Sequence, residues 1–146
     1  MVKVYVETEL RPSEDINKVI KAIQNVFDYE KMEKMPLREG FELLVFSSTT
    51  LRSIIKLHKL LRNQRILDAA RKHLITGKRE NVLTFKIHKQ ACYSGKISFV
   101  NNDNESPNGP IKFIIYHNEI NKVIDWLTPK TKEGRPINEI EIPDIS

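Results

Sequence analysis

Val2, Val4 and Val6 alternate with Lys3, Tyr5 and Glu7 at the start of the chain, which predicts a strand with one apolar face. The period then changes. Ile16, Val19, Ile20, Ile23 and Phe27 recur at helical spacing after Pro12-Ser13-Glu14-Asp15. Ser13 is suited to cap that helix, and Glu14 and Asp15 suit the positive end of its dipole. Residues 28 to 40 mix charge with methionine, contain Pro36 and end on Gly40, so they read as a connector. Phe41 to Phe46 reads as a short apolar strand, and Ser47 to Thr50 offer a cap for a second helix.

That second helix is expected from about Thr50 to Asn63, burying Leu51, Ile54, Ile55 and Leu61. With ~100° between successive residues, Arg52, Lys56, Lys59 and Asn63 fall on one stripe within roughly 60°. A third helical stretch, from about Gln64 to Thr76, buries Ile66, Leu67, Ala70 and Leu74 and stops at Gly77. No glycine or proline separates the two, so one bent helix is the alternative reading. Three strands follow: Leu83 to His88, Lys96 to Phe99, and Ile111 to Tyr116, the last after a turn-rich run from Asn101 to Pro110. Asn118 is placed to cap a last helix through Ile120, Val123, Ile124 and Leu127, which Pro129 ends. The tail places Ile137, Ile140, Ile142 and Ile145 at short intervals and reads as an added edge strand or an arm. These elements predict one α+β domain over residues 1–128 and an extended tail over 129–146. Consecutive strands with short links favour an antiparallel-rich sheet, with helices mainly on one face.

Composition adds little to the fold and more to the chemistry. The chain has 146 residues, 40% hydrophobic and 29% charged, an ordinary globular balance. No apolar run approaches the ~18 residues of a membrane helix. The charged, alternating start does not read as a signal peptide. The single cysteine, Cys92, excludes an internal disulfide and fits a cytoplasmic setting. Net charge is +5, but it is unevenly spread. Residues 52 to 96 hold 12 basic and 2 acidic side chains, a balance of +10, which leaves −5 for the remainder. Such asymmetry points to an anionic partner, with nucleic acid the default.

Catalytic signatures are missing. Gly95-Lys96-Ile97 lacks both the earlier glycine and the hydroxyl of a phosphate-binding loop. No Gly-x-Gly-x-x-Gly occurs, and one cysteine cannot supply a Cys-x-x-Cys zinc site. His58, His73, His88 and His117 show no metal spacing on a shared helix face. Asp103 and Glu105 sit in a turn-rich loop, where solvated charge is the simpler reading. A Cys92–His88 or Cys92–His117 pair is the one nucleophilic arrangement available, and isolated cysteine is usually an inert small hydrophobe. An enzyme therefore ranks last, and no cofactor or metal is expected.

Lys89-Gln90-Ala91, then Gly95, then Pro107-Asn108-Gly109-Pro110-Ile111 resemble an archaeal family, the uncharacterised protein family numbered two-zero-one. Ile66-Leu67-Asp68-Ala69-Ala70-Arg71 resembles the helix that precedes the strands in that family. Two positions depart from its pattern: Cys92 replaces a small residue, and Asn108 replaces leucine. The resemblance implies a fold like that of large-subunit ribosomal protein L five, and its relatives have been described as RNA-binding or exosome-associated. The expected function is therefore a non-catalytic RNA-binding module. Its candidate contacts are Arg52, Lys56, Lys59, Arg65, Lys72, Lys86, Lys89, Gln90 and Lys96, with Tyr93 as a base-stacking ring. The expected partner is structured RNA, ribosomal or transfer. The alternative is a self-associating domain, a homodimer through a sheet edge or the C-terminal tail.

Overall fold

The computed structural model describes residues 1–144, so Ile145 of the predicted tail lies outside the described residues. The opening alternation forms β1 (Lys3–Leu10), with Val4 and Val6 fully buried. Helix α1 (Ile16–Gln24) follows, capped by Asp15, whose side chain accepts from the Asn17 amide; Ser13 does not serve as the cap. β2 (Lys31–Arg38) and β3 (Phe41–Ser48) form a hairpin around Gly40 at φ 77°. Thr50 caps a short 3-10 turn, Leu51–Ile54, that leads into α2 (Ile55–Asn63). Next come α3 (Leu67–Thr76), the two-residue β4 (Lys78–Arg79), β5 (Val82–Ile87) and the short α4 (Lys89–Tyr93). β6 (Ile111–Tyr116) and α5 (Ile120–Leu127) complete the body.

The sheet runs β2-β3-β1-β6-β5-β4, and every neighbouring pair is antiparallel. Cross-strand partners share a face, so the register defines the core. Phe46, Val6, Phe113 and Phe85 form one row across the sheet, with the Phe85 and Phe113 rings stacked 4.9 Å apart. Val19, Ala22 and Ile23 of α1, Leu57 and Leu61 of α2, Leu74 of α3 and Val123 of α5 are buried in the same core. Each such valine, leucine or isoleucine contributes roughly 1.5–3 kcal/mol by leaving water. The architecture is thus a single α+β domain, a six-stranded antiparallel sheet with helices on one face.

Three expectations are corrected, and the two helical stretches after Thr50 are found separate, as read. Residues 28 to 40 are not a mere connector, because β2 occupies 31–38. All its residues are exposed, so an edge strand with water on both faces leaves no apolar alternation to read. Pro36 is tolerated at that edge, and the register shifts between Pro36 and Arg38. Helices α2 and α3 are separate, because Arg65 turns into the left-handed region at φ 57° without a glycine. The strand expected over Lys96–Phe99 reduces to one bridge, Ile87↔Phe99. The residues before it instead form α4, whose N-terminus the His88 side chain caps by accepting from the Ala91 amide. Finally, Glu119 rather than Asn118 precedes α5.

Beyond Pro129 the chain does not extend the main sheet. β7 (Thr131–Lys132) and β8 (Arg135–Pro136) form their own hairpin. The following segment straps back over α2. Glu139 grips Arg62 in a two-point fork, with both N···O distances 2.7 Å. Asp144 accepts from the Leu51 amide and the Thr50 hydroxyl, each at 2.6 Å.

Candidate nucleic-acid interface

The structure divides the predicted cations into several environments. Arg52 lies 3.3 Å from Asp144 of the tail. Lys56 pairs with Asp28 at 2.9 Å and donates to the Gln24 carbonyl at the C-terminus of α1. Both are already partly neutralised. Lys59, Arg65, Lys72 and Lys96 are exposed, and their side chains have no acidic partner among the described residues. Two other basic residues of the charged middle are tied to α5 and the chain after it. Arg62 donates to the carbonyls of His58, Trp126 and Leu127, and Arg71 donates to that of Thr128 and pairs with Asp125.

The segment of residues 96 to 101 lies along α2 and α3 and is clasped at two points. The Gln64 amide donates to the Ile97 carbonyl at 2.9 Å and accepts from the Ile97 amide at 2.7 Å. Further along, His73 stacks on Phe99 with ring centroids 4.9 Å apart. The first clasp joins Ile97, the residue after Lys96, to Gln64, the residue before Arg65. The second leads into a groove of about 370 Å³ lined by Lys72, His73, Lys86 and Asn101. Lys86 reaches this groove from β5 and pairs with the exposed Asp103 at 2.6 Å. Of the predicted cations, Lys72 and Lys86 thus line one groove.

Lys89 does not belong to it. The expectation that it is a surface cation is corrected, because it is fully buried. Its ammonium donates to the Glu9 carbonyl at 2.7 Å, the Asn108 carbonyl at 2.9 Å and both Glu14 carboxylate oxygens at 3.2 Å. Burial lowers its pKa from the ordinary lysine value, while Glu14 pulls it back up. It fastens β1, the start of α1 and the loop before β6 together. Gln90, next to it, lines a separate groove with Lys18, Lys21 and Tyr93.

Two other candidates are structurally committed. The Cys92 thiol is buried, donates to the Ala22 carbonyl, and is pushed up to about 12 by that burial. It is no nucleophile at neutral pH. The Tyr93 hydroxyl donates to Glu14, and burial followed by the Glu14 charge raises it to about 12. Another aromatic pair stands elsewhere, the half-buried Tyr5 on β1 and the exposed Tyr116 on β6. The signal was present as the outward positions of two strands, but their adjacency is a property of the topology.

Comparison places this geometry in a known setting. A family model described as RNA binding matches residues 3–117, from the start of β1 to just past β6. The chain belongs to that family, whose members include the UPF0201 proteins. A UPF0201 protein of Saccharolobus solfataricus is 50% identical over 144 residues, covering 98% of each chain. The crystal structure of a UPF0201 protein from Methanococcus jannaschii is 36% identical, with a TM-score of 0.82, covering 93% of this chain and 99% of that one. A second UPF0201 crystal structure is 31% identical, with a TM-score of 0.73 over 92% of this chain and 99% of the other.

Proposed function

We propose that this protein is a non-catalytic RNA-binding module that holds phosphates through Arg65, Lys72, Lys86 and Lys96. Lys59, exposed on α2, is a further candidate contact. The observation that carries the reading is the groove beside the clasped 96–101 segment, where the unpaired Lys72 stands with Lys86, within the stretch matched by the RNA-binding family. Such contacts fix register and orientation on a nucleic acid without reading its sequence. The fold like that of ribosomal protein L five, expected from the sequence resemblance alone, is the basis for proposing structured RNA of the ribosomal or transfer kind as the partner.

Filter binding of transfer RNA across a salt series tests this. The slope of log K against log salt is expected to be roughly −0.7 to −0.9 per phosphate contact. The triple change Arg65→Glu, Lys72→Glu, Lys96→Glu should weaken every RNA by a similar factor and flatten the slope. Surface substitutions of this kind usually cost within about 0.5 kcal/mol each, so the fold should persist. No binding at low salt, or binding indifferent to the triple change, would refute the reading.

Self-association is the second reading, favoured by Met32, Met35 and Leu37 exposed on the edge strand β2. That edge also carries Pro36, a register shift and the basic residues Lys31, Lys34 and Arg38, all of which oppose edge-to-edge pairing.

A further inference from the structure

The sheet has a second face that no helix covers among the described residues. Its outward positions follow from the register. Lys3 pairs with Tyr116, Tyr5 with Ile114, and Glu7 with Lys112, which in turn pairs with Lys86. Tyr5 and Tyr116 are diagonal neighbours on the two central strands. Their rings meet edge to face, with centroids 5.9 Å apart at 89°. Tyr116 is 43% exposed, a high value for a large ring in the middle of a sheet. Neither hydroxyl has a hydrogen-bond partner among the described residues. The pair stands at one side of a depression of about 720 Å³ whose floor includes Leu43, Val45 and Ile114.

We infer that this face is a stacking platform for unpaired RNA bases, with Tyr5 and Tyr116 as its rings. The inference rests on the RNA-binding reading above and assigns that RNA a single-stranded element. Three features favour a nucleic acid as the occupant. First, Lys3 and Lys112 project from the same face without an acidic partner within ion-pair distance among the described residues, where they can meet phosphates. Second, Glu7 lines the depression and offers an acceptor to the amino edge of a base. Third, the platform adjoins the groove that holds Lys72. Lys86 ends the row of Glu7 and Lys112 and also lines the groove with Lys72. One strand of RNA can thus pass from the helical side, around the β5 edge, onto the sheet. A second copy of this chain is a poorer occupant, since it would place Lys3, Lys112 and Glu7 in the middle of an interface, where charged residues are depleted.

The test compares a labelled single-stranded oligonucleotide of about ten residues with a fully paired RNA hairpin, both by fluorescence anisotropy. Removing a stacked ring typically weakens binding by roughly 5- to 150-fold per base. The change Tyr5→Leu with Tyr116→Leu should cause a loss of that size for the single strand, leave the salt slope unchanged, and keep the hairpin within about twofold. Tyr116→Phe, which keeps the ring, should bind like the parent. Should the double variant unfold by circular dichroism, Tyr116→Leu alone carries the test, because that side chain is the more exposed. If the parent binds both RNAs and the leucine variants bind the single strand equally well, the platform is overturned while the RNA reading stands. Parent protein that binds neither RNA overturns both. If the leucine variants instead turn a dimer into a monomer in sedimentation and leave RNA affinity intact, the face joins two copies and the proposal is wrong.

Discussion

Replacing Lys89 by methionine keeps an unbranched side chain one atom shorter and removes its charge. Three consequences follow in the buried site. Glu14, whose side chain is 5% exposed, loses its cation, and the carbonyls of Glu9 and Asn108 lose a donor. Glu14 keeps the Arg11 amide at 3.0 Å and the Tyr93 hydroxyl, so the carboxylate is not stripped of every partner. Removing one member of a buried ion pair costs ~3–5 kcal/mol, and the residual bonds favour the lower half of that range. At about 2–4 °C per kcal/mol for a chain of this size, the melting temperature should fall by roughly 10 °C. Urea unfolding followed through Trp126, the sole tryptophan and a buried one, measures the loss directly. A double-mutant cycle adds Glu14→Gln. Because the two groups interact, the double variant should be less unstable than the sum of the singles, by about 0.5–3 kcal/mol. A loss below about 1 kcal/mol for Lys89→Met, or strict additivity in the cycle, would refute the structural role assigned to this lysine.

Two further outcomes are expected. His58 stacks on Trp126, and burial, then the Arg62 charge, lowers it from 6.5 to about 4. The unfolded chain binds that proton more tightly, so its contribution to stability is complete above pH 6.5 and is lost as pH falls towards 4. The urea midpoint of His58→Phe should therefore fall less than that of the parent across this window, and parallel curves would contradict the assignment. Gly77 approaches β5 so closely that an added Cβ would stand 1.7 Å from the Thr84 carbonyl oxygen. Gly77→Ala should cost on the order of 3 kcal/mol. Gly95→Ala, with open space around it but φ at 73°, should cost only about 1–2 kcal/mol. Thermal melts that rank the two in the opposite order would reject the close-approach argument.

The elements legible in the sequence are those whose period repeats against one core. β1, α1, β3, β5, β6 and α5 each show it, because one face is buried and the other is wet. β2 is invisible because both its faces are wet, and α4 because five residues give no full repeat of the helical pattern. The break at Arg65 is hidden because the left-handed turn uses an arginine in place of the usual glycine. The candidate site divides similarly. Charge density pointed to the middle of the chain, and Lys59, Arg65, Lys72 and Lys96 are exposed there. Lys89 could not be told from them, because its carboxylate and carbonyl partners come from Glu14, Glu9 and Asn108, far away in sequence. The tyrosine pair was equally hidden, since Tyr5 and Tyr116 meet only once β1 lies beside β6.

That adjacency also governs how the molecule can assemble. The central ladder joins Lys3 to Tyr116, so the innermost seam of the sheet closes a loop spanning most of the chain. The β2–β3 hairpin and the β4–β5 link are local and form early at little entropic cost. The seam between β1 and β6 must wait until both are in place, which sets folding in the slow regime of non-local β pairing. Once closed, it couples the two halves of the sheet into one cooperative unit. Amide exchange along β1 and β6 then reports global unfolding, while β2, with no buried side chain, opens at far lower free energy.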